Sequence, residues 1–423
     1  MLTPNNLEAV PALPSVEMPA TWGIFRGSAR RTLGTGLAYL VVFEASVLGS
    51  GQILHLGHFS VKMVLFALCM LYILIAQFAG DRMQISTTLL LVAYLVSMVL
   101  ATSIGLLNGA TLDRIGEDIS PLLSFLLLPF FELTIRTPKN IAMVIRAIMV
   151  ASAVIVCAYL YITLGLWTGH LSYSGLMVWL EPLGNGDFMF DASTGRVFYK
   201  GAIYLCIALI FLLFQRGRWA KVAALLLFLN LIAIGTRGFF LALALTGLLY
   251  LVIGRIRTIR KVALFLPLVL AAALLLPKLF LLAGDRSDSN RERIVTMDQA
   301  LERTNILTVI VGNGFGIGVP ERPEHMEISY LEILYKQGIV GLFWWSALLV
   351  LLVLRFRRAM RWTDPRRSYP FFLSSIFIAI ESFTNPFINN PIGMTFVTVS
   401  LACLNVYGSN DEHGREFPQP GRG

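Results

Sequence analysis

Stretches of about 20 apolar residues follow one another along this chain, each long enough to cross a lipid bilayer as a helix. They lie near residues 32–54, 60–79, 84–107, 118–136, 141–167, 197–214, 219–235, 237–254, 262–282, 328–354, 369–385 and 390–408. Inside hydrocarbon a backbone must bond its own N–H and C=O groups, and segments of this length do so as helices. The sequence therefore predicts an all-α, polytopic membrane helix bundle of about twelve transmembrane helices.

Composition agrees with a membrane protein, because 56% of the residues are hydrophobic and only 14% are charged. Soluble domains have nearer a quarter of charged residues. In a soluble protein the formal net charge of +9 would point to nucleic acid. Here the positive-inside rule explains it, and no nucleic-acid partner is expected. The four cysteines all lie in apolar runs and match no zinc or disulfide spacing.

The distribution of basic residues predicts the orientation of the helices. Segments 255–261 and 355–367 carry four and six basic residues, whereas the loops 52–59 and 108–117 carry none and one. Cytoplasmic loops are enriched in Lys and Arg, so the basic segments are expected inside. Both chain termini are then cytoplasmic.

This orientation divides the chain into a bundle and two tails. Residues 1–31 are predicted to be a disordered cytoplasmic tail, residues 32–408 the bundle, and residues 409–423 a C-terminal cytoplasmic tail. Two long segments lie outside, 168–196 and 283–327, and the second joins the ninth span to the tenth. No internal repeat is visible across the two halves, which argues against transporters built from duplicated halves.

The outer loop 283–327 has structure of its own. Ser289 and Glu292 have the spacing of a capping box, and apolar residues follow at helical intervals, which predicts an amphipathic helix from Asn290 to Arg303. Glycines at 312, 314, 316 and 318 match neither GxGxxG nor a Walker loop. They are interpreted as a tight turn that folds back over the bundle.

His325 follows this turn and precedes a helix. A lone histidine in a loop is most simply interpreted as a solvated side chain, but the place of His325 at a water–membrane boundary makes it a candidate functional residue. Glu327 is two residues away and is expected to orient the imidazole or support its charged form. The other histidines lie in loops or a tail and are interpreted as solvated.

Several cations are predicted at the outer ends of the spans. Arg196 and Lys200 are four residues apart, so on a helix they would share a face and either hold an anion together or snorkel to headgroups separately. Arg237 lies in the turn GTRGFF, where its side chain and the first N–H groups of the next helix would point at an anion.

Acidic residues within the spans leave open the alternative that the protein is a transporter. Glu332 and Lys336 have the i,i+4 spacing of a structural ion pair. Glu44 and Glu381 are lone carboxylates in spans, as a proton-coupled transporter would use. The sequence has no DxD-like carboxylate pair and no His/Asp cluster for a metal, so neither a metal nor another cofactor is expected.

These motifs together resemble the O-antigen ligase and O-antigen (Wzy-type) polymerase superfamily of bacterial membrane glycosyltransferases. The motifs are Arg293 leading RIVTMDQAL, the turn GNGFG, and His325 leading HMEISYLEILYKQGIVGL. GTRGFF resembles the family's Ser/Thr-Arg-Gly/Ala motif, and Arg196 resembles its arginine before a mid-chain span. The resemblance covers roughly the second half of the chain. It departs at Met326, where the family often has asparagine.

The resemblance implies a GT-C-like fold in the bacterial inner membrane with its active site on the periplasmic side. The donor would be an oligosaccharide on undecaprenyl diphosphate, and the acceptor a glycan or glycolipid. His325 and Arg237 would be catalytic, while Arg196, Lys200 and Arg293 would hold the diphosphate without metal. Other membrane proteins of polysaccharide assembly would be further partners.

Four alternatives follow for the function. A polymerase joins lipid-linked repeats, and the helix LEILYKQGIVGL favours this reading; a ligase transfers the finished glycan to lipid A-core or another acceptor. A flippase for the same lipid-linked sugars is the rival from another class. A purely structural membrane protein would leave the outer arginines unexplained.

Overall fold

The computed structural model describes residues 28–49, 54–56, 59–184, 187–191, 196–254 and 287–409. The predicted tail 1–31 therefore lies outside the described residues except for its last four. The predicted ninth span 262–282, the basic segment 255–261 and residues 410–423 also lie outside them.

The described chain is mostly helical. Its α-helices are α1 (Ser28–Val47), α2 (Val61–Phe78), α3 (Ile85–Leu107), α4 (Leu112–Leu122), α5 (Leu127–Thr134), α6 (Pro138–Trp167), α7 (Tyr173–Gly184), α8 (Ile203–Phe214), α9 (Arg218–Ile234), α10 (Arg237–Ile253), α11 (Ser287–Glu302), α12 (Ile306–Val311), α13 (Ser329–Trp362), α14 (Pro365–Glu381) and α15 (Pro391–Gly408). Two 3-10 turns span Leu123–Leu126 and Lys200–Ala202. Two antiparallel hairpins pair β1 (His55–Leu56) with β2 (Phe59–Ser60), and β3 (Phe188–Asp191) with β4 (Arg196–Tyr199).

Within the described ranges, five helices are long and apolar enough to cross a membrane: α2, α3, α6, α13 and α15. Two shorter apolar helices, Lys200–Phe214 and α10, lie between them in the chain. The prediction of a mostly helical, polytopic membrane protein is confirmed. The count of twelve spans stays a prediction.

The predicted fourth span, 118–136, is not one continuous helix. Helix α4 ends at Leu122, a 3-10 turn follows, and α5 begins at Leu127. Pro121 lies in the last turn of α4. A proline has no N–H to donate and its ring crowds the carbonyl four residues back, so the α-helix does not run on unchanged. Asp118 therefore belongs to a short helix, where it is buried.

The expected shared helix face of Arg196 and Lys200 is wrong. Arg196 begins β4, and Lys200 begins the 3-10 turn that leads into α8. The strand forms because residues 196–199 pair in register with residues 188–191, from Asp191 opposite Arg196 to Phe188 opposite Tyr199. The segment 168–196, predicted as a loop, thus contains α7 and β3.

Helix α15 is the centre of the bundle. Across its 18 residues 89% are buried, and it packs against α13, α14, α5 and α1. Its hydroxyl residues Thr395, Thr398 and Ser400 are buried as well, so α15 faces other helices on nearly all sides. Its start is well defined, because the Asn390 side chain accepts a hydrogen bond from Ile392 N (3.0 Å) and Pro391 occupies the first turn.

Helix α13 is kinked at Gly338, which has φ +66° and ψ −164°. The kink frees the carbonyls of Tyr335 and Lys336 from the helix. The Tyr335 carbonyl accepts a hydrogen bond from Asn313 N (2.8 Å), and the Lys336 carbonyl accepts one from Gly314 N (3.0 Å). A Cβ on Gly338 would lie 2.4 Å from the Ile310 carbonyl oxygen. The glycine-rich segment is thus a turn packed on the bundle, as predicted, and the kink separates the first turns of α13 from its apolar part.

The amphipathic helix predicted in the outer loop is present as α11, although it begins at Ser287. Ser289 therefore lies inside the helix, so the predicted capping box is wrong. Glu292 is instead paired with Arg322 at 2.6 Å.

Candidate active site

A cavity of about 110 Å³ lies at the end of the bundle where α13 and α15 begin. Its wall is unusually polar for a membrane helix bundle and comes from five parts of the chain. The polar and charged lining includes Asp118, Lys200, His325, Glu332, Lys336 and Asn389.

The imidazole of His325 is bound on one side and accessible on the other. Its Nδ1 atom lies 3.2 Å from Glu332 Oε1 and 3.6 Å from Asp118 Oδ1, while 46% of the side chain is exposed. The hydrogen bond with Glu332 raises the pKa of His325 above its ordinary value of 6.5. Partial burial and the charge of Lys336 oppose this rise, and the charge of Asp118 adds to it.

Lys336 lies beneath His325 and is almost completely buried. Its Nζ atom donates to Asp118 Oδ1 at 2.7 Å, to Glu332 Oε1 at 2.8 Å and to the Glu324 carbonyl at 2.6 Å. The predicted pair of Glu332 with Lys336 is confirmed. Three donors thus meet three acceptors, which is the condition for keeping a lysine charged away from water. Two carboxylates around one ammonium leave one uncompensated negative charge beside His325.

Asp118 joins this cluster to the glycine turn. Its Oδ2 atom accepts a hydrogen bond from Gly316 N at 2.7 Å, while Oδ1 takes the lysine. Glu332 is held in a similar way, because its Oε2 atom accepts the Asn389 amide at 2.7 Å. Both carboxylates therefore have fixed orientations.

The structure brings together a His/acid cluster that the sequence did not reveal. Donor atoms of Asp118, His325 and Glu332 lie within 4.8 Å of one another, close enough to surround one cation. The Lys336 ammonium already contacts an oxygen of each carboxylate at hydrogen-bond distance. A charged lysine repels a metal ion at this place, so the cluster is assigned to Lys336.

Arg293 lies in a second polar group beside the cavity. It donates through Nε to Glu327 Oε2 at 2.5 Å and through an Nη atom to the Thr384 carbonyl at 3.3 Å. Arg322 binds the other oxygen of Glu327 at 2.9 Å. The expected contact between Glu327 and His325 is therefore replaced: two arginines engage Glu327, and Glu332 contacts the imidazole.

Arg237 begins α10, close to the end of α14. The next residue, Gly238, permits this approach, because a Cβ there would lie 2.5 Å from Glu381 Oε1 and 3.0 Å from Thr384 Oγ1. The start of α10 and Arg293 thus both reach Thr384. The glycine of the GTRGFF turn has a packing role that its sequence alone does not reveal.

The structure brings some of the predicted site residues together. His325 and Lys200 line the same cavity. Arg293 lines a small pocket with Arg322 and Glu327. The two pockets have neighbouring walls, because His325 and Glu332 line the cavity and their chain neighbours Met326 and Leu331 line the small pocket. Arg237 lies at the Glu381–Thr384 end of α14, whose connection to α15 contributes Asn389 to the cavity. Arg196 is placed only as the first residue of β4.

Sequence comparison identifies a relative of this chain. No protein-family profile matches the chain. An O-antigen polymerase of Shigella flexneri is 24% identical over 302 residues, which is 70% of this chain and 74% of the relative. The resemblance to the O-antigen polymerase and ligase superfamily is confirmed. The similarity to the polymerase extends well beyond the second half of the chain, in which the motifs were recognised.

Sequence reasoning missed two contributors to the cavity, Asp118 and Asn389. Asp118 stood at the edge of an apolar run, and an acidic residue there is costly unless it has a partner. That cost was the available signal, but nothing in the sequence identified Lys336, 218 residues away, as its partner. Asn389 lies between two prolines in a short connection, where no periodic pattern operates.

Proposed function

We propose that this protein is a membrane glycosyltransferase that polymerises repeat units of a surface polysaccharide from a polyprenyl-diphosphate-linked donor. The observation that carries the proposal is the half-exposed imidazole of His325 in a cavity that it shares with Lys200. The similarity to an O-antigen polymerase supports polymerisation over ligation and over flipping.

The reaction needs one base and a site for a departing anion. A sugar hydroxyl of the acceptor gives its proton to His325, and its oxygen forms a bond to the anomeric carbon of the donor. The bond from that carbon to the diphosphate oxygen breaks, and the diphosphate leaves with the electron pair. Positive groups placed where this charge develops lower the barrier.

The leaving diphosphate is assigned to Lys200, Arg293 and Arg237, together with Arg196. Lys200 lines the cavity itself, and Arg293 lies in the adjoining pocket. Guanidinium groups suit phosphate because they offer a planar fork of donors. These four cations would supply the charge that a metal supplies in other glycosyltransferases.

An outward-facing site is consistent with the helix directions. Helix α13 begins at the cavity and ends with Arg357, Arg358 and Arg361. Basic helix ends are enriched on the cytoplasmic side, so the cavity is assigned to the opposite, periplasmic side of the inner membrane.

The test is deletion of the gene followed by sizing of the surface glycan. If the protein is a polymerase, the deletion strain should carry only single repeats capped on lipid. Long chains left unattached would identify a ligase instead, and loss of all outer glycan would identify a flippase. Complementation with His325→Ala should fail, whereas His170→Ala, which alters an exposed histidine far along the chain, should restore the wild-type pattern.

The diphosphate assignment has its own test. Binding of a short-chain polyprenyl-diphosphate sugar should be weakened by Arg237→Ala. Arg218→Ala, at the start of α9 where the guanidinium lies over Trp219, is the matched control. Unchanged binding by Arg237→Ala would remove Arg237 from the site.

A further inference from the structure

The proposed base has a carboxylate partner in the first turn of α13. His325 Nδ1 lies 3.2 Å from Oε1 of Glu332, a residue of α13. We propose that Glu332 is the positioning residue of the site: it holds the Nδ1–H tautomer of His325, which leaves Nε2 as the proton acceptor. This inference rests on the proposed function, in which His325 is the base.

The tautomer follows from the chemistry of the partner. An ionised carboxylate only accepts hydrogen bonds, so Nδ1 must carry the proton that joins the two groups. A neutral imidazole has one protonated nitrogen, and the lone pair therefore belongs to Nε2. An imidazole whose Nδ1 is held in this way presents one basic atom to the cavity.

Glu332 is itself immobilised. Lys336 Nζ binds its Oε1 atom at 2.8 Å, and the Asn389 amide binds Oε2 at 2.7 Å. Asn389 is held in turn by the Ser329 hydroxyl at 2.8 Å. Only about 7% of the Glu332 side chain is exposed. A carboxylate with both oxygens engaged cannot rotate freely, so the direction of the imidazole is set by the folded helix.

The charges around His325 come from every element that packs against it. Helix α13 contributes Glu332 and Lys336, and α4 contributes Asp118. Lys200 lines the same cavity. Glu324 precedes His325 in the loop, but its carbonyl rather than its carboxylate is the group that Lys336 binds.

This balance favours the product of proton transfer. Within the ion-paired cluster, Asp118 and Glu332 carry two negative charges against the one positive charge of Lys336, and a protonated imidazole neutralises the difference. Lys200 lies on the cavity wall and is assigned to the diphosphate. When the acceptor hydroxyl transfers its proton to Nε2, the imidazolium keeps its Nδ1–H bond to Glu332, which strengthens because both partners are then charged. The sugar oxygen meanwhile bonds to the anomeric carbon, and the diphosphate leaves with the electron pair of the broken bond.

The first test is the pH profile of full-length protein in lipid nanodiscs with a lipid-linked repeat as substrate. Glu332→Gln should lower kcat by roughly tenfold to a hundredfold, as for other carboxylates that orient a functional histidine. The acidic limb of the pH–rate profile of Glu332→Gln should move to lower pH, and KM for the donor should stay unchanged. Glu332→Asp, which keeps the charge on a shorter side chain, should restore the position of the limb in part.

Glu321→Gln is the matched control, because it alters an exposed carboxylate in the same loop. An acidic limb that stays in place in Glu332→Gln would overturn the inference. So would a loss of activity that appears only as a raised KM.

The second test does not depend on a variant at Glu332. The chain has five histidines, so ¹⁵N-histidine spectra of the wild type and of His325→Ala identify the His325 signals by difference. The neutral ring should carry its proton on Nδ1, and protonation on Nε2 would overturn the inference.

The two proposals fail in different ways. Full activity of His325→Ala would remove the proposed base, whatever the tautomer. An inactive His325→Ala combined with an Nε2–H tautomer would keep the base and remove Glu332 as its positioning residue.

Discussion

The Nζ atom of Lys336 lies 2.6 Å from the carbonyl oxygen of Glu324, the residue immediately before His325. The same ammonium binds Asp118 of α4 and Glu332 of its own helix. One buried lysine therefore connects two helices with the loop that carries the imidazole. The position of His325 therefore depends on the buried ammonium of Lys336.

Lys336→Met should destabilise the protein strongly. Methionine has a similar length but no charge, so Asp118 and Glu332 would be left buried without their counter-ion. Removing one partner from a buried ion pair costs about 3–5 kcal/mol. The measurement is the unfolding midpoint in detergent, with the exposed Lys139→Met as control.

The double variant Asp118→Asn/Lys336→Met separates charge from shape. It removes one charge of each sign, so part of the lost stability should return. A single Lys336→Met variant that unfolds at the wild-type midpoint would contradict the assignment of the cluster to Lys336.

The acidic limb of the transfer rate should lie above pH 6.5, the ordinary pKa of histidine. The hydrogen bond with Glu332 raises the pKa of His325, so the imidazole becomes protonated at a higher pH than a free histidine does. A protonated imidazole cannot accept the hydroxyl proton, and kcat/KM therefore falls as the pH is lowered through this pKa. Measurement of kcat/KM from pH 5 to 9 checks it, and a limb below 6.5 would contradict it.

Arg293→Ala should weaken donor use more than it weakens folding. A charge-assisted hydrogen bond contributes about 1.5–3 kcal/mol, so KM for the lipid-linked donor should rise roughly tenfold to a hundredfold. Arg322 remains to compensate Glu327. The matched control is Arg291→Ala on the same helix, where the side chain is exposed. Equal KM values for the two variants would exclude Arg293 from the donor site.

Gly338→Ala should destabilise the junction of α13 with the glycine turn. Gly338 has φ +66° and ψ −164°, a conformation adopted almost only by glycine, which costs a residue with a Cβ about 1–3 kcal/mol. The close approach to the Ile310 carbonyl adds to this cost. Gly36→Ala is the opposite case, because Gly36 lies within α1 with open space around it. That change should be neutral or stabilising, so the two thermal midpoints should move apart.

The parts of the fold that were predictable from the sequence are those set by interactions between residues close in the chain. Apolar runs and prolines act within a few residues, and the predicted spans in the described chain are mostly helical. The main exceptions are 118–136, which a 3-10 turn divides, and the first three residues of 197–214, which form a strand. The same rules failed where a partner was distant. Residues 196–199 form a strand because residues 188–191 pair with them, a contact that no helical spacing reveals.

By itself the sequence determined the class of protein and the candidates for its chemistry. Repeated apolar stretches require membrane helices, and the sequence named His325, Lys200 and the arginines as candidates for the proposed chemistry. It also determined the Glu332–Lys336 pair, because both residues lie on one helix face.

Only the tertiary structure decided which groups act on one another. Asp118 and Lys336 are separated by 218 residues, and Glu332 rather than the nearby Glu327 meets His325. Proximity along the chain favoured Glu327, but Arg293 and Arg322 engage it from other elements. Electrostatic interactions depend on distance in space and on burial, and both arise only when the helices pack.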